Sequence, residues 1–273
     1  SFDAASGTVS TTALLYRAES FATGQPAPAE ALKLPWEPHI VLDLPDRFVI
    51  AKPSGWEVWD QHVEYQLLAF LCAISANRWP ILEDATHDHG FLHRLDVPSS
   101  GLILAAKTYQ AYYDLRVQLS AGKVARDYIT ICHGWVGPEV REIEVSVYWR
   151  GEMRTSAGGQ GKPSRTRLKV MAHVYHENDA LALVAIRIAT GRRHQIRSHF
   201  SHIGHPILCD GMYTTSATFF SDFNLCARNF LHRYRLAFKD LVGSEHEALE
   251  PIPSDLVSTL QQLTAKEIGS AGA

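Results

Sequence analysis

Residues 90–102 have the sequence GFLHRLDVPSSGL. One carboxylate, Asp96, follows a short apolar run and precedes a Pro-Ser-Ser-Gly loop, and apolar residues resume at Leu102. This pattern predicts two short strands joined by a loop that carries Asp96 and, two residues earlier, Arg94. Catalytic groups are often mounted on such loops, although an Asp beside Pro and Ser also serves as an ordinary turn cap. The stretch alone leaves both roles of Asp96 open.

The composition is that of an ordinary globular protein. The chain has 273 residues, 46% hydrophobic and 20% charged, which is enough to bury a large core. No apolar run reaches the roughly 18 residues that a bilayer-spanning helix needs, so we expect no membrane association. Four scattered cysteines without a CxxC pair indicate reduced thiols, an intracellular location and no cysteine-based zinc site. Because the sequence begins at Ser1 rather than Met, we expect a trimmed chain, whose targeting segment would not be visible.

The charges are unevenly distributed along the chain. The net charge of −3 gives no overall indication of nucleic-acid binding. Residues 150–169, however, contain six basic side chains and one acidic one, and residues 187–205 contain four Arg, four His and no acid. A nearly neutral chain with such basic stretches predicts a polyanionic partner bound on one face.

Short predicted strands outnumber predicted helices, and the two do not alternate regularly. This order is typical of an α+β fold with a mostly antiparallel sheet. We expect a partly ordered N-terminal arm over residues 1–36, one main domain over residues 37–268 and a tail over residues 269–273. The predicted strands are 40–44, 48–51, 124–136, 143–149, 167–175, 181–189 and 230–238, and the predicted helices are 62–77, 109–120, 192–203 and 255–266.

Other chemistries find weaker support in the sequence. A glycosidase would need two carboxylates, and a serine hydrolase would need a G-x-S-x-G elbow, which is absent. The four histidines His194, His199, His202 and His205 cluster, and a spacing of three is compatible with shared zinc ligation. There is no HExxH motif, and His205 lies beyond the predicted helix stop. We therefore favour capping, packing and phosphate contact for these histidines and expect no metal.

Five motifs occur in a fixed order along the chain. They are KPSG at 52–55, HRLD with SGL at 93–102, RDY with a later glycine at 126–134, TGRRHQIR continuing through HPI to D-x-x-Y at 190–213, and LH with a later Leu and Phe at 231–238. Each resembles a motif of the RluA-type pseudouridine synthases. The resemblance runs from about residue 40 to about residue 255.

The resemblance implies that uridine is isomerised to pseudouridine within RNA, on a bifurcated sheet with flanking helices and a central catalytic cleft. The bond from N1 to C1′ breaks, the base turns, and C5 joins C1′, so no atom is gained or lost and no cofactor is expected. By the family pattern Asp96 is the catalytic acid residue, either attacking the sugar or removing a proton from C2′. Arg197 matches the family Arg that pairs with it, and Tyr128 would stack on the base and could help remove the C5 proton.

The target uridine must leave the RNA stack to be reached, and Arg94 matches the family Arg that fills the gap. Lys52 is predicted either to contact RNA or to hold its own turn. We expect a monomer that acts on rRNA or tRNA; the alternative is a catalytically silent RNA-binding module in a larger ribonucleoprotein. Further residues predicted to contact RNA are Arg126, Lys162, Arg165, Arg192, Arg193 and His194. Departures from the family pattern are Ser99 for Thr, Arg126 for Lys, Ala189 for an acid, Arg193 for Thr, Cys209 for Gly and Arg233 for Ala.

Overall fold

The computed structural model of the protein describes residues 37–60, 63–75, 79–150 and 155–265. The strands are β1 (His39–Asp43), β2 (Arg47–Lys52), β3 (Ser100–Ala106), β4 (Ala125–His133), β5 (Glu142–Glu144), β6 (Val147–Tyr148), β7 (Ser156–Ala157), β8 (Arg165–His176), β9 (Asp179–Ile188), β10 (Leu231–Lys239), β11 (Glu245–Leu249) and β12 (Thr264–Ala265). The helices are α1 (Leu67–Ser75), α2 (Tyr109–Ser120), α3 (Gln195–His202), α4 (Ser216–Phe223) and α5 (Ser254–Gln261). Short 3-10 segments span Pro80–Glu83 and Ala85–Gly90. The predicted arm and tail lie outside the described residues.

The chain folds into two compact units. Among the described residues, the first comprises those in 37–128 and 232–251 and is called the Asp96 unit. The second comprises the described residues in 129–231 and 252–265 and is called the Arg197 unit. Strand β4 begins in the first and ends in the second.

The Asp96 unit is built on four strands in the order β1-β2-β3-β10, with β11 beside β10. Pairs β1–β2, β2–β3 and β10–β11 are antiparallel, whereas β3 and β10 are parallel. Every residue of β2 and β3 is buried, including the charged ends Arg47 and Lys52 of β2, and the centres of both strands are apolar. Helix α2 packs Tyr112 and Leu115 into a core with Val49, Leu104 and Leu236.

The Arg197 unit is built around a long antiparallel pair, β8 and β9, whose register shifts between Val170 and Ala172. Strands β5 and β12 also pair antiparallel with β8, and β6 pairs antiparallel with β7. Strand β9 is buried from Leu181 to Ile186 because its sequence there is apolar. This sheet positions α3, the helix that carries Arg197.

Most predicted elements are confirmed, as is the α+β class with a mostly antiparallel sheet. The hairpin before residue 52 forms as expected. Helix α2 has both predicted ends, and its first turn is capped by the Thr108 hydroxyl, which accepts from the Ala111 amide at 3.2 Å. In the part of the chain that the structure describes, none of the helices is both long and apolar enough to cross a membrane.

One strand flanking the Asp96 loop was predicted wrongly. Asp88 and His89 have φ values of 50° and 53°, and Gly90 has a φ of 78°, so the backbone there cannot extend. Only Phe91 forms an isolated bridge, with Ala105 of β3. The loop is therefore held by one regular strand on its far side.

Four other predictions differ from the structure. Among the described residues, the helix predicted over 62–77 begins only at Leu67. The helix predicted over 192–203 begins three residues later, because His194 is left-handed with a φ of 49° and forms its N-cap. The strand predicted over 143–149 is divided into β5 and β6, and the helix predicted over 255–266 ends at Gln261. Helix α4 and strand β11 had no predicted counterpart.

Candidate active site

Asp96 lies half-buried in the loop that precedes β3. The neighbouring KPSG turn holds this loop through the main chain. The Gly55 amide donates to the Val97 carbonyl at 2.8 Å, and the Ser54 hydroxyl donates to the Pro98 carbonyl at 2.9 Å. These bonds fix the backbone directly after Asp96, so the carboxylate is mounted on an ordered loop.

Lys52 is part of the same clamp. Its side chain is only 1% exposed, and its ammonium donates to the carbonyls of Pro53 at 2.8 Å and Trp56 at 2.7 Å, with Val97 at 3.4 Å. A buried ammonium with main-chain acceptors stabilises a turn. Of the two predicted roles for Lys52, the structure therefore favours holding the turn over contacting RNA.

A buried guanidinium, Arg233, contacts the predicted catalytic tyrosine. Its Nη2 donates to the Tyr128 hydroxyl, and its Cζ lies 4.8 Å from the Tyr128 ring centroid. Its Nη1 donates to His93 Nδ1 and to the Leu102 carbonyl, both at 2.8 Å. The strand residue Tyr128 and the loop residue His93 are thus joined by one side chain from β10.

The electrostatics of this cluster follow from its burial. Burial, with the guanidinium groups of Arg233 and Arg126, lowers the pKa of His93 well below its usual range. Burial likewise lowers the pKa of Arg126 to about 10. The nearby Tyr128 acts to raise this pKa, and the Arg233 guanidinium acts to lower it further. Arg126 is only 4% exposed, so the predicted RNA contact by this side chain gains no support from its position.

Arg94, by contrast, is exposed. It forms an ion pair with Asp60, its guanidinium lies 4.0 Å from the Glu57 carboxylate, and its Cζ lies 5.8 Å from the Trp59 ring centroid. An RNA phosphate or base edge would have to compete with Asp60 for this group. This competition could not be predicted from the sequence, because Asp60 lies 34 positions away from Arg94.

In the Arg197 unit, Arg197 pairs with a carboxylate that the motif pattern had included without a role. Its Nε and Nη2 each donate to an oxygen of Asp210 at 2.7 Å, and both residues are buried. The Arg197 Cζ also lies 5.1 Å from the Tyr213 ring centroid. A bidentate, buried pair of this kind fixes the plane of the guanidinium.

Tyr213 links helix α3 to a neighbouring strand segment. Its hydroxyl accepts from the Thr155 amide and donates to the Thr155 carbonyl, each at 3.1 Å, and lies 3.2 Å from His194 Nδ1. Burial raises the pKa of Tyr213. His194, predicted to contact RNA, is therefore also a structural cap held by a tyrosine.

The segment before α3 is ordered by Gln195. Its Oε1 accepts from the Thr190 hydroxyl at 2.8 Å and from the Arg192 amide at 3.1 Å, and its Nε2 donates to the Arg165 carbonyl at 3.0 Å. Arg192 and Arg193 are half-buried beside it. Their backbone is thus fixed, and their predicted phosphate contacts stay predictions.

The basic stretch 150–169 is less positive in the fold than in the sequence. Arg165 lies 3.3 Å from Glu142 and 3.0 Å from Glu144, because β5 pairs with β8. Lys162 is exposed and lies 5.1 Å from the Trp149 ring centroid. A count along the sequence could not include carboxylates brought in by strand pairing.

Two histidines of the cluster considered for zinc bind main-chain oxygens. His199 Nε2 donates to the Val145 carbonyl at 3.0 Å, and His205 Nδ1 donates to the His133 carbonyl at 2.8 Å. Burial lowers the pKa of His199, which favours its neutral form. These contacts agree with the packing role that we favoured for them.

Comparison with known proteins gives a consistent result. The sequence model of the family described as RNA pseudouridylate synthase matches residues 46–202, more than half of the chain. The sequence is 33% identical over 187 residues to "Ribosomal large subunit pseudouridine synthase D" of Salmonella typhimurium, covering 64% of this chain and 56% of that protein. The protein of the same name from Escherichia coli K12 is 32% identical over the same shares. The chain thus spans about half the length of these curated relatives.

Solved structures share the fold. "Human RNA Pseudouridylate Synthase Domain Containing 1" aligns with a TM-score of 0.65 and 23% identity, over 87% of this chain and 92% of that one. "Human RNA Pseudouridylate Synthase Domain Containing 4" aligns with a TM-score of 0.60 and 20% identity, over 82% of this chain and 93% of that one. At these identities the likeness concerns the fold alone.

Proposed function

Because this chain belongs to the RNA pseudouridylate synthase family, we propose that it isomerises uridine to pseudouridine in RNA. The observation that carries this proposal is the extent of the family match, which spans all three residues predicted to be catalytic: Asp96, Tyr128 and Arg197. The ordered mounting of Asp96 supports it further, since a reaction run by one carboxylate needs that group held in place.

In the proposed reaction the Asp96 carboxylate acts in its ionised form. It either attacks C1′ of the target nucleotide, which displaces the uracil anion and leaves the sugar bonded to Asp96, or removes the C2′ proton, which eliminates the uracil anion. The base then turns and C5 bonds to C1′; in the first route the bond from C1′ to Asp96 breaks, and in the second Asp96 returns its proton to C2′. The C5 proton is finally lost to a base and N1 is protonated, so the overall change is an isomerisation. Arg197 is proposed to offset the desolvation of the Asp96 carboxylate; its expected pairing with Asp96 stays a prediction.

Base recognition requires the uridine to leave the stack. We propose that Tyr128 stacks on the extruded base and that Arg94 fills the space left in the RNA. The exposed position of Arg94 supports its role, and Asp60 would release the guanidinium on binding. The family pattern supports the role of Tyr128, whose hydroxyl is held by Arg233.

The first RNA to test is large-subunit rRNA, because the curated relatives are described as ribosomal large subunit pseudouridine synthases. Transfer RNA is the second. The basic groups at Lys162, Arg192 and Arg193 are proposed to hold phosphates in either case, without reading sequence.

The test measures tritium release from rRNA and tRNA transcripts labelled at C5 of uridine, with product position mapped chemically. We expect Asp96→Asn to abolish release while the RNA dissociation constant stays within about threefold of the wild-type value. The matched control is Asp179→Asn, an exposed carboxylate at the start of β9, which should retain full activity. Salt-dependent RNA binding without tritium release by the wild-type chain would instead favour the silent RNA-binding module.

A further inference from the structure

We propose that Arg233 is a positioning residue that holds the Tyr128 ring and His93 in one fixed arrangement, and so sets the orientation of Tyr128 for the reaction. This inference rests on the proposed function, because it assigns Arg233 an effect on turnover. It concerns the Asp96 unit only, where Arg233, Tyr128 and His93 all lie.

The contacts of Arg233 constrain Tyr128 in two directions. Donation from Nη2 to the hydroxyl fixes the far end of the phenol, and the guanidinium 4.8 Å from the ring centroid restricts the ring face. The same guanidinium is anchored by the Leu102 carbonyl and by His93, each 2.8 Å from Nη1. Rotation of the tyrosine ring would have to break at least one of these contacts.

The backbone of Arg233 is also held in place. Arg233 pairs with Gly101 across the parallel strands β10 and β3. Gly101 has a φ of 120°, and a Cβ at that position would collide with the Arg233 carbonyl oxygen. This close approach locks the strand that carries Arg233 against the strand that follows the Asp96 loop.

The protonation of His93 agrees with this arrangement. Burial and the nearby guanidinium groups lower its pKa, so His93 is neutral near pH 7. A neutral imidazole can accept at Nδ1 when its proton lies on Nε2, and Nδ1 is the atom that faces Arg233. His93 belongs to the HRLD motif, three residues before Asp96. Arg233 therefore connects the loop of the proposed catalytic carboxylate to the strand of the proposed stacking tyrosine.

The cost of burying Arg233 supports a role beyond packing. The groups that accept from it are a phenol, an imidazole and a peptide carbonyl, and none of them is a carboxylate. Its side chain is among the largest fully buried ones, and its Nε is buried without a hydrogen bond in the described residues. Burying a charge without a matching carboxylate is expensive. The Ala of the resembled family pattern could make none of these contacts.

The kinetic test is a double-mutant cycle between Arg233→Gln and Tyr128→Phe, measured as single-turnover pseudouridine formation and as RNA dissociation constant. We expect Arg233→Gln to lower the single-turnover rate by about 30-fold, with the dissociation constant changed by less than about threefold. In the Tyr128→Phe background, Arg233→Gln should lower the single-turnover rate by less than about threefold, because the Tyr128 hydroxyl that Arg233 binds is already absent. Arg233→Lys keeps the charge but not the planar fork and should not restore the rate.

Arg235→Gln is the matched control. Arg235 lies two residues along β10 and pairs with Asp127 and Glu247, so its loss removes a strand guanidinium without touching Tyr128. We expect its single-turnover rate to stay within about twofold of wild type. Additive losses in the cycle, or equal losses in Arg233→Gln and Arg235→Gln, would overturn the inference.

A second measurement needs no turnover. In chain labelled with 3-fluorotyrosine, the Tyr128 fluorine resonance, assigned by its absence in Tyr128→Phe, should be shifted and exchange-broadened by Arg233→Gln or Arg233→Lys. An unchanged resonance would overturn the positioning role. If the wild-type chain forms no pseudouridine in any RNA tested, the proposed function fails, and this fluorine measurement still decides whether Arg233 orders Tyr128.

Discussion

Arg197 and Arg233 are both buried guanidinium groups over a tyrosine ring, one in each unit. The Arg197 Cζ lies 5.1 Å from the Tyr213 centroid, and the Arg233 Cζ lies 4.8 Å from the Tyr128 centroid. Arg197 is held in a bidentate pair by Asp210, whereas Arg233 donates to a phenol, an imidazole and a peptide carbonyl. The same two side-chain types thus accompany a buried ion pair in one unit and a hydrogen-bonded clamp in the other.

The largest expected effect is on stability and separates these two arrangements. Asp210→Asn should lower the free energy of unfolding by about 3–5 kcal/mol, because the buried Arg197 loses its bidentate carboxylate. Arg233→Met should cost about 2 kcal/mol or less, since the lost hydrogen bonds are offset by removal of a buried charge. Urea denaturation measures both, with Asp179→Asn as control. Equal losses in the two variants would contradict the comparison.

The next effect is a pH dependence of stability that differs between the units. His93 and His199 both have a lowered pKa in the folded chain, mainly through burial. Below the ordinary histidine pKa of about 6.5 the unfolded chain therefore binds more protons, and stability falls as the pH is lowered. The slope is at most about 1.4 kcal/mol per pH unit for each histidine.

Gln variants separate the two contributions. His93→Gln should flatten the fall in denaturation midpoint between about pH 6.5 and pH 5 more than His199→Gln does. At His93 two guanidinium groups lower the pKa in addition to burial. At His199 the hydrogen bond to the Val145 carbonyl raises the pKa and so opposes the effect of burial. A pH profile that neither substitution alters would show that both rings are protonated without cost to the fold.

The smallest expected effect concerns RNA affinity at the exposed ion pairs. Asp60→Asn releases Arg94 in one unit, and Glu144→Gln weakens the restraint on Arg165 in the other. We expect Asp60→Asn to lower the RNA dissociation constant by about threefold. The number of ions released on binding, read from the slope of log affinity against log salt concentration, should rise by up to about one. Glu144→Gln should do less, because Glu142 still faces Arg165. Unchanged binding by Asp60→Asn would argue against RNA contact by Arg94.

Local sequence sufficed for elements that depend on near neighbours. Helix α2 could be predicted at both ends from the local sequence pattern, and the five motifs were sufficient to indicate the family. The Asp96 loop could be located for the same reason. Its upstream flank could not, because residues 88–90 adopt positive φ values that the apolar pattern does not indicate.

The contacts that organise the candidate site join distant positions. Arg233 bonds Tyr128 and His93 across 105 and 140 positions of sequence, and no pattern near residue 233 indicates either partner. Asp210 stood in a motif, but its pairing with Arg197 depends on how the chain returns after α3. Glu142 became a neighbour of Arg165 only through strand pairing. Such partners require a topology before they can be inferred.

The Lys52 ammonium donates to the main-chain carbonyl oxygens of Pro53, Trp56 and Val97. Main-chain oxygens are present whatever amino acid occupies a position, so this clamp is indifferent to the identity of residues 56 and 97. The side chains at positions 56 and 97 can therefore change in evolution, or be redesigned, while the loop that carries Asp96 keeps these three hydrogen bonds.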